Sequence, residues 1–306
     1  MAQRPLIDIL LPTWNGAAFL SAQLDSLLRQ QDVATRILVR DDGSADGTWD
    51  LVRRFAERHG RILPLAGPRL GVVGNVGALL SRSDAEGTAG YFALCDQDDV
   101  WYPHKLAVSL QAMHALETRF GPDRPLLVCG DARCVTADGR LLHASFLRRM
   151  GLSPDWGGDL RHVLVMSHAL GCTCLGNAAL RRLALPLPEA EAIFMHDWWL
   201  LLVAVSFGAV HCLDVPLLDY RQHAANVLGA TRRGHWRQRM AAWGDGARRT
   251  QRQARTFLER YAGQLDPARR RIVQAWASMP ETPWLLRRWL CWRQGFTKPG
   301  LARLWT

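Results

Sequence analysis

The sequence predicts an α/β fold, a mostly parallel sheet flanked by helices and followed by a helical C-terminal extension. Three observations lead there. Short apolar runs alternate with stripes of helical period as far as residue 129; acidic turns stand at the ends of those runs; and charge and tryptophan content change abruptly after residue 230.

Leu6 to Leu11 is a short apolar run closed by Pro12, the pattern of a parallel strand buried on both faces. Leu20, Leu24, Leu27 and Leu28 then recur at i, i+4, i+7 and i+8, placing one face of a helix over 17–30 against the sheet. The unit repeats. Ile37-Leu38-Val39 is a second strand, Asp41-Asp42-Gly43-Ser44 its turn, and Leu51, Val52 and Phe55 the buried stripe of the next helix. Arg61 to Ala66 forms a third strand, Asn75 to Leu80 a helix, and Tyr91 to Cys95 a fourth strand ending in an acidic cluster. Pro103 takes a first-turn position in a helix continued by Leu106, Leu110 and Met113, and Leu126 to Cys129 is a further strand. After Gly171 the pattern is less regular, with a helix from Trp198 to Phe207 and a strand near 210–218. In sheets of this kind ligands bind beyond the carboxyl ends of the strands.

The chain has 306 residues, enough for two units or for one α/β domain with an appended helical segment. Hydrophobic residues at 48% and charged residues at 22% exclude a disordered or fibrous chain. Met1 to Ile9 is too short and polar for a signal peptide, and the apolar stretch Trp198 to Val210 falls short of the roughly 20 residues of a spanning helix, so a cytoplasmic protein is expected. Cysteines at 95, 129, 134, 172, 174, 212 and 291 are odd in number and scattered, which reads as reduced, buried thiols; Cys172 and Cys174 lack a zinc-ligand spacing. Net charge is +10, but residues 231–306 carry 17 Lys+Arg against 4 Asp+Glu, leaving −3 on residues 1–230.

Three acidic features fall at the expected ligand-binding edge: Asp41-Asp42, Asp96-Gln97-Asp98-Asp99 and His196-Asp197. Singly, each is ordinary turn or cap chemistry. Together they carry a signal. Asp96 and Asp98, one residue apart at a strand end, suit a hard cation such as Mg²⁺ or Mn²⁺ whose shell substrate phosphates complete. Asp99 reads instead as a cap for the helix near Pro103.

The motifs Pro12-Thr13-Trp14-Asn15-Gly16, Asp41-Asp42-Gly43-Ser44, Asp96-Gln97-Asp98-Asp99-Val100-Trp101, His196-Asp197-Trp198-Trp199 and Tyr220-Arg221-Gln222-His223 resemble, in order and spacing, those of glycosyltransferase family 2. The likeness covers residues 5–230, and its details are most similar to the bacterial rhamnosyltransferase branch. The resemblance implies a GT-A fold over 1–230, with a nucleotide-sugar half near 1–125 and an acceptor half near 126–230. It implies that Pro12, Thr13, Trp14, Asn15, Asp96 and Gln97 line the nucleotide-sugar site and that Asp42 reaches a pyrimidine base. It also implies that Asp96 and Asp98 hold the metal, that Asp197 is the general base, and that dTDP-L-rhamnose is the donor. Ala224 departs from the pattern, where glycine is expected.

Around these, Asn75 and Arg221 are candidates for the nucleotide sugar, and His223 for the metal or the diphosphate. Trp101, Gly171, Cys172, His196 and Trp198 are candidates for the acceptor side. Asp197 has two readings: a base whose low carboxylate pKa is raised by desolvation beside Trp198 and Trp199, or the N-cap of the following helix.

In the extension, Trp236, Met240 and Trp243 share a helical face flanked by arginines 232, 233, 237 and 239. Asp266-Pro267 and Thr282-Pro283 read as caps with first-turn prolines, and Gly295 as a stop. Arginine with interfacial tryptophan suits an anionic membrane surface at the inner face of the plasma membrane, and a lipid-linked saccharide acceptor; alternatively the tryptophans pack on the catalytic domain. Nucleic-acid binding would leave the acidic motifs without a purpose, and a silent sugar-nucleotide scaffold would not need Asp96, Asp98 and Asp197. A UDP-hexose or UDP-N-acetylhexosamine donor is the alternative within the same chemistry.

Overall fold

The computed structural model describes residues 4–223, 236–279, 289 and 291–296. The first half alternates strand and helix: β1 (Leu6–Thr13), α1 (Ala17–Leu28), β2 (Ala34–Asp41), α2 (Thr48–Arg58), β3 (Ile62–Leu65), α3 (Gly71–Glu86), β4 (Tyr91–Leu94), β5 (Val100–Trp101) and α4 (Lys105–Phe120). Then come β6 (Leu126–Thr136), β7 (Leu141–His143), α5 (Phe146–Met150), α6 (Leu160–Val165), β8 (Leu175–Asn177), α7 (Ala178–Ala184), α8 (His196–Phe207) and β9 (Ala209–Gln222). Two helices of the extension follow, α9 (Trp236–Tyr261) and α10 (Pro267–Ala277).

The strands form one sheet in the order β3-β2-β1-β4-β8-β6-β9-β5, with β7 paired to β6. β1 pairs in parallel with β2 and β4, and β6 with β9; β8 runs antiparallel to both neighbours and joins the two halves. Alternation along β1 sends Ile7, Ile9 and Leu11 to the layer under α1 and α4, and Leu10 to the layer under α3 and α8. Asp8, buried in mid-strand, accepts from Nε and Nη2 of Arg36, both at 2.8 Å, and from the Ser83 hydroxyl at 2.6 Å, which satisfies an otherwise costly buried carboxylate.

The seam depends on Asn177, buried at the end of β8. Its carbonyl oxygen accepts from Leu126 N and Leu180 N, both at 3.0 Å, while its amide donates to the carbonyls of Pro122 and Arg124. The side chain thus caps α7 and ties the loop before β6 to the sheet.

Several expectations are revised. α4 is capped by His104 without a side-chain bond, so Asp99 is not its cap; the two residues of β5 intervene. The N-cap of α8 is Met195, which leaves Asp197 inside the first turn. Residues 141–184 contain seven short elements, two of them 3-10 turns at Pro154–Gly158 and Gly171–Thr173, that periodicity did not resolve, because pieces of three to seven residues carry too few repeats. The β6–β9 register sets Cys129 opposite Cys212, with Cα atoms 4.8 Å apart, and the pair forms a disulfide where thiols were expected; Cys95, Cys134, Cys172 and Cys174 are buried thiols.

The extension is part of the core. Ala254, Phe257, Tyr261, Val273 and Trp276 join the layer containing α8, with Trp199 packed 5.4 Å from Phe257 and 5.9 Å from Tyr261. Asp266 caps α10 by accepting from Arg269 N, with Pro267 in the first turn, and Gly295 ends a helical stretch with φ +70°. Trp276 is buried against Phe296, whereas Trp289 and Trp292 are exposed at 46% and 68%. Among the described residues the tail's tryptophans therefore divide between packing and solvent. Thr282, Pro283, Ala224, Arg232, Arg233 and the side chains of Trp236, Arg237, Arg239, Met240 and Trp243 lie outside the described residues. Among the described residues no helix is long and apolar enough to cross a membrane.

Candidate active site

The carboxyl ends of β1 and β2 carry two loops that brace each other. Asp41 accepts from Gly43 N, Ser44 N and Ser44 Oγ, closing the Asp-Asp-Gly-Ser turn on itself, and takes the Thr13 hydroxyl at 2.9 Å. Asn15, at φ +48°, donates its N–H to Ser44 Oγ and accepts from Ala45 N. Gly16 N and Ala17 N reach Thr48 Oγ1 and Asp46. Pro12, at the end of β1, pairs across from Arg40. On this platform Trp14 is 47% exposed, with the Arg69 guanidinium 4.6 Å above its ring. Gln97 clamps the Trp14 backbone by accepting from its N–H at 2.9 Å and donating to its carbonyl at 3.0 Å.

Asp42 lies below this surface. Its oxygens accept from Leu70 N at 2.7 Å, Gly71 N at 2.8 Å and Arg40 at 3.1 Å, so both are engaged. In this conformation it orders the entry into α3. Asn75 is also turned inward, donating to the Arg40 carbonyl. Arg40 is the residue that sequence reasoning missed: a buried cation that holds Asp42 and the Pro68 carbonyl together. Its signal was a lone arginine ending an apolar strand directly before Asp41.

At the end of β4 the second acidic group meets the end of β9. His223 Nε2 lies 2.7 Å from Asp98 Oδ2, and its ring stacks on Phe19 at 4.6 Å. Arg221 donates from Nε to the Asp98 carbonyl, from its backbone N–H to Asp99, and from a guanidinium nitrogen to the Ala137 carbonyl. These bonds direct Arg221 to fix the loop. Asp96, Asp99 and Cys172 bring ligand atoms within 4.8 Å of one another. Burial, then the charges of Asp98 and Asp197, push Asp96 up to about 7. Burial likewise holds Asp99 far above the carboxylate range and Cys172 far above the thiol range, so Cys172 remains a neutral thiol.

The charges of Asp98 and Asp197 both act on Asp96, and Asp197 lies against Gly171, next to the Cys172 that clusters with Asp96. Asp96, half-buried, and Asp98, buried with His223 2.7 Å from its Oδ2, are the carboxylates of that set that would hold a hard divalent cation. Asp99 and Cys172 stand behind as buried support.

Asp197 sits at the amino end of α8, where its Oδ1 accepts from Trp198 N at 2.7 Å. Its other face meets Gly171, where a Cβ would stand 3.0 Å from Oδ2. Burial raises its pKa, opposed first by His196 and then by backbone bonds from Trp198 and Gly171. Burial lowers the pKa of His196.

The acceptor-side candidates Trp101, Cys172 and Trp198 are buried. Trp101 is buried with Lys105 Nζ 3.6 Å over its ring, and forms internal wall. Trp198 donates its indole N–H to the Val163 carbonyl at 2.6 Å, and Trp199 packs on Phe257 of α9. Cys172 is fully buried.

Residues 8–120 match the family model "Glycosyl transferase family 2". The dTDP-rhamnosyl transferase RfbG of Shigella flexneri is 24% identical over 230 residues, 72% of this chain and 74% of that protein. An Escherichia coli protein, UDP-Glc:alpha-D-GlcNAc-diphosphoundecaprenol beta-1,3-glucosyltransferase WfgD, is 28% identical over 108 residues, 35% of this chain and 41% of its own length. Of three further relatives the chain spans 30%, 34% and 42%. Among solved structures, S. aureus TarS 1–349 in complex with UDP-GlcNAc aligns with a TM-score of 0.56 at 13% identity, covering 95% of this chain and 88% of that one. The mannosyltransferase PcManGT from Pyrobaculum calidifontis, in complex with GDP-Man and Mn²⁺, aligns at 0.54 and 18% identity, covering 96% and 74%. Residues 8–120 are thus similar to glycosyl transferase family 2, and the solved structures and the sheet order show a GT-A fold.

Proposed function

We propose that the chain is an inverting glycosyltransferase that moves L-rhamnose from dTDP-L-rhamnose to a hydroxyl of a saccharide or lipid-linked saccharide acceptor. The observation that carries this is the convergence at one end of the sheet of Asp96, Asp98 and Asp197: Asp197 lies against Gly171, the next residue Cys172 clusters with Asp96 and Asp99, and the charges of Asp98 and Asp197 both act on Asp96. Asp96 and Asp98, with His223, would hold Mg²⁺ or Mn²⁺, which when bound neutralises charge on a leaving diphosphate. The platform of Thr13, Trp14, Asn15 and Gln97 receives the nucleotide, its half-exposed indole offering a flat face. Asp197 takes the proton of the acceptor hydroxyl as that oxygen attacks opposite the diphosphate, and its raised pKa makes it a stronger base than a solvated carboxylate.

The Shigella relative's name supports the rhamnose donor, and the Escherichia coli relative's name supports a lipid-linked acceptor. A thermal-shift screen of dTDP-L-rhamnose, UDP-glucose, UDP-GlcNAc and GDP-mannose, with and without Mn²⁺, tests the donor. The largest metal-dependent rise in Tm is expected for dTDP-L-rhamnose. A larger rise with a UDP sugar would reassign the donor, and no rise with any would reject the function. The exposed Trp289 and Trp292, with Arg293 4.8 Å over the Trp289 ring, support contact with an anionic membrane surface. Flotation with phosphatidylglycerol vesicles at low salt should recover the protein; its absence from the lipid fraction would reject this contact.

A further inference from the structure

Between α7 and α8 the chain runs through residues 185–195 without helix or strand and delivers His196-Asp197 into the site. Backbone polar groups in such a segment need partners, and α9 supplies them. Gln253 Oε1 accepts from Phe194 N at 2.8 Å, and Arg249 donates to the Phe194 carbonyl at 3.0 Å while lying 4.1 Å over its ring. Arg252 donates to Glu191 O at 3.1 Å and Thr256 to Ala192 O at 3.3 Å. Arg260 reaches the carbonyls of Leu185 and Pro186, and Tyr261 that of Leu183. Positions 249, 252, 253, 256 and 260 are spaced by three, one, three and four, so they form one stripe along the helix. The neighbouring stripe, Ala254, Phe257 and Tyr261, is locked in the core against Trp199.

Gln253 has the most direct line to Asp197. It is 1% exposed, and its partner Phe194 immediately precedes the Met195 N-cap, the position that sets the angle at which a chain enters a helix. Phe194 also packs 4.8 Å from Trp198, one turn into α8. We infer that α9 is a positioning element for the reaction, in which Gln253, through the Phe194 N–H, fixes the start of α8 and so holds Asp197 against Gly171. The role of Asp197 as base rests on the function proposed above; the mechanical coupling of α9 to residues 194–198 does not.

The test compares Gln253→Met, which keeps the shape but loses the acceptor, with Gln253→Glu, which keeps an acceptor oxygen, and with the gentler Thr256→Val. Measurements are kcat and KM for the donor identified by the screen, nucleotide diphosphate affinity by calorimetry, and amide hydrogen exchange along the chain. Gln253→Met should lower kcat about tenfold with nucleotide affinity unchanged, and speed exchange selectively at 194–198, as expected for a displaced catalytic group. Gln253→Glu should stay within about threefold of wild type, and Thr256→Val should shift kcat in the same direction by about twofold. Wild-type kcat and exchange in Gln253→Met, equal damage in the Glu and Met variants, or a parallel loss of nucleotide affinity would overturn the inference. Should Asp197→Asn retain full turnover, the base assignment fails while the exchange result still decides whether α9 holds this segment.

Discussion

The two sides of the site are held in different ways. On the side proposed for the nucleotide the loops after β1, β2 and β4 support each other through short polar side chains inside the motifs: Asp41 closes its own turn, Asn15 joins Ser44 and Ala45, and Gln97 grips Trp14. On the Asp197 side the segment 185–195 leans on a helix some sixty residues further along the chain. Self-braced loops tolerate changes in distant sequence, whereas a remotely braced one links catalysis to the integrity of the extension.

The largest effect expected from this contrast falls on Asp197. Asp197→Asn should reduce turnover by roughly 10²–10⁴ while nucleotide diphosphate affinity, measured by calorimetry, stays at the wild-type value. Comparable losses in both would mean that the two sides are not separable. Gly171→Ala ranks next: a methyl 3.0 Å from Oδ2 and 3.3 Å from Cβ of Asp197 forces the carboxylate aside by a few tenths of an ångström, for an expected drop in kcat of about tenfold with little change in donor KM.

On the other side, Gly16→Ala places a methyl against the Gln97 carboxamide and breaks its two bonds to Trp14. Nucleotide affinity should fall by about five- to tenfold, the size of one lost hydrogen bond, with kcat at saturating donor preserved. The smallest effect concerns pH. Asp96 titrates near 7 in the folded chain against about 4 when unfolded, so the stability linked to its protonated form is fully present below pH 4 and is lost as pH rises to about 7. In metal-free protein, Asp96→Asn should therefore gain Tm relative to wild type between pH 5 and pH 8. A constant difference between the two melting curves would show that the carboxylate is not desolvated as described.

Legibility in the sequence followed the same division. The βα alternation, the turn at Asp41-Asp42 and the acidic cluster after β4 could be read because strand period, turn chemistry and charge act over a few residues. The burial of Asp42 could not, since its partners Leu70 and Gly71 stand at the start of α3, almost thirty residues away. The inward turn of Trp101 was equally hidden: an aromatic beside an acidic motif reads as ligand-facing until Lys105 and the packing of α1 and α4 are seen around it. Gln253 is the extreme case, an unremarked glutamine in a basic helix whose importance exists only in three dimensions.

Asn177 shows how little chemical latitude the junction between the halves allows. Aspartate would be the same size and could still cap α7, yet it would turn a carboxylate oxygen toward the lone pairs of Pro122 and Arg124 where an amide now donates. Serine would be too short to span both loops, and leucine would abandon four backbone groups at once. Only a carboxamide of this length answers two donors and two acceptors together, so gradual drift at position 177 has no neutral path, however freely the loops around it diversify.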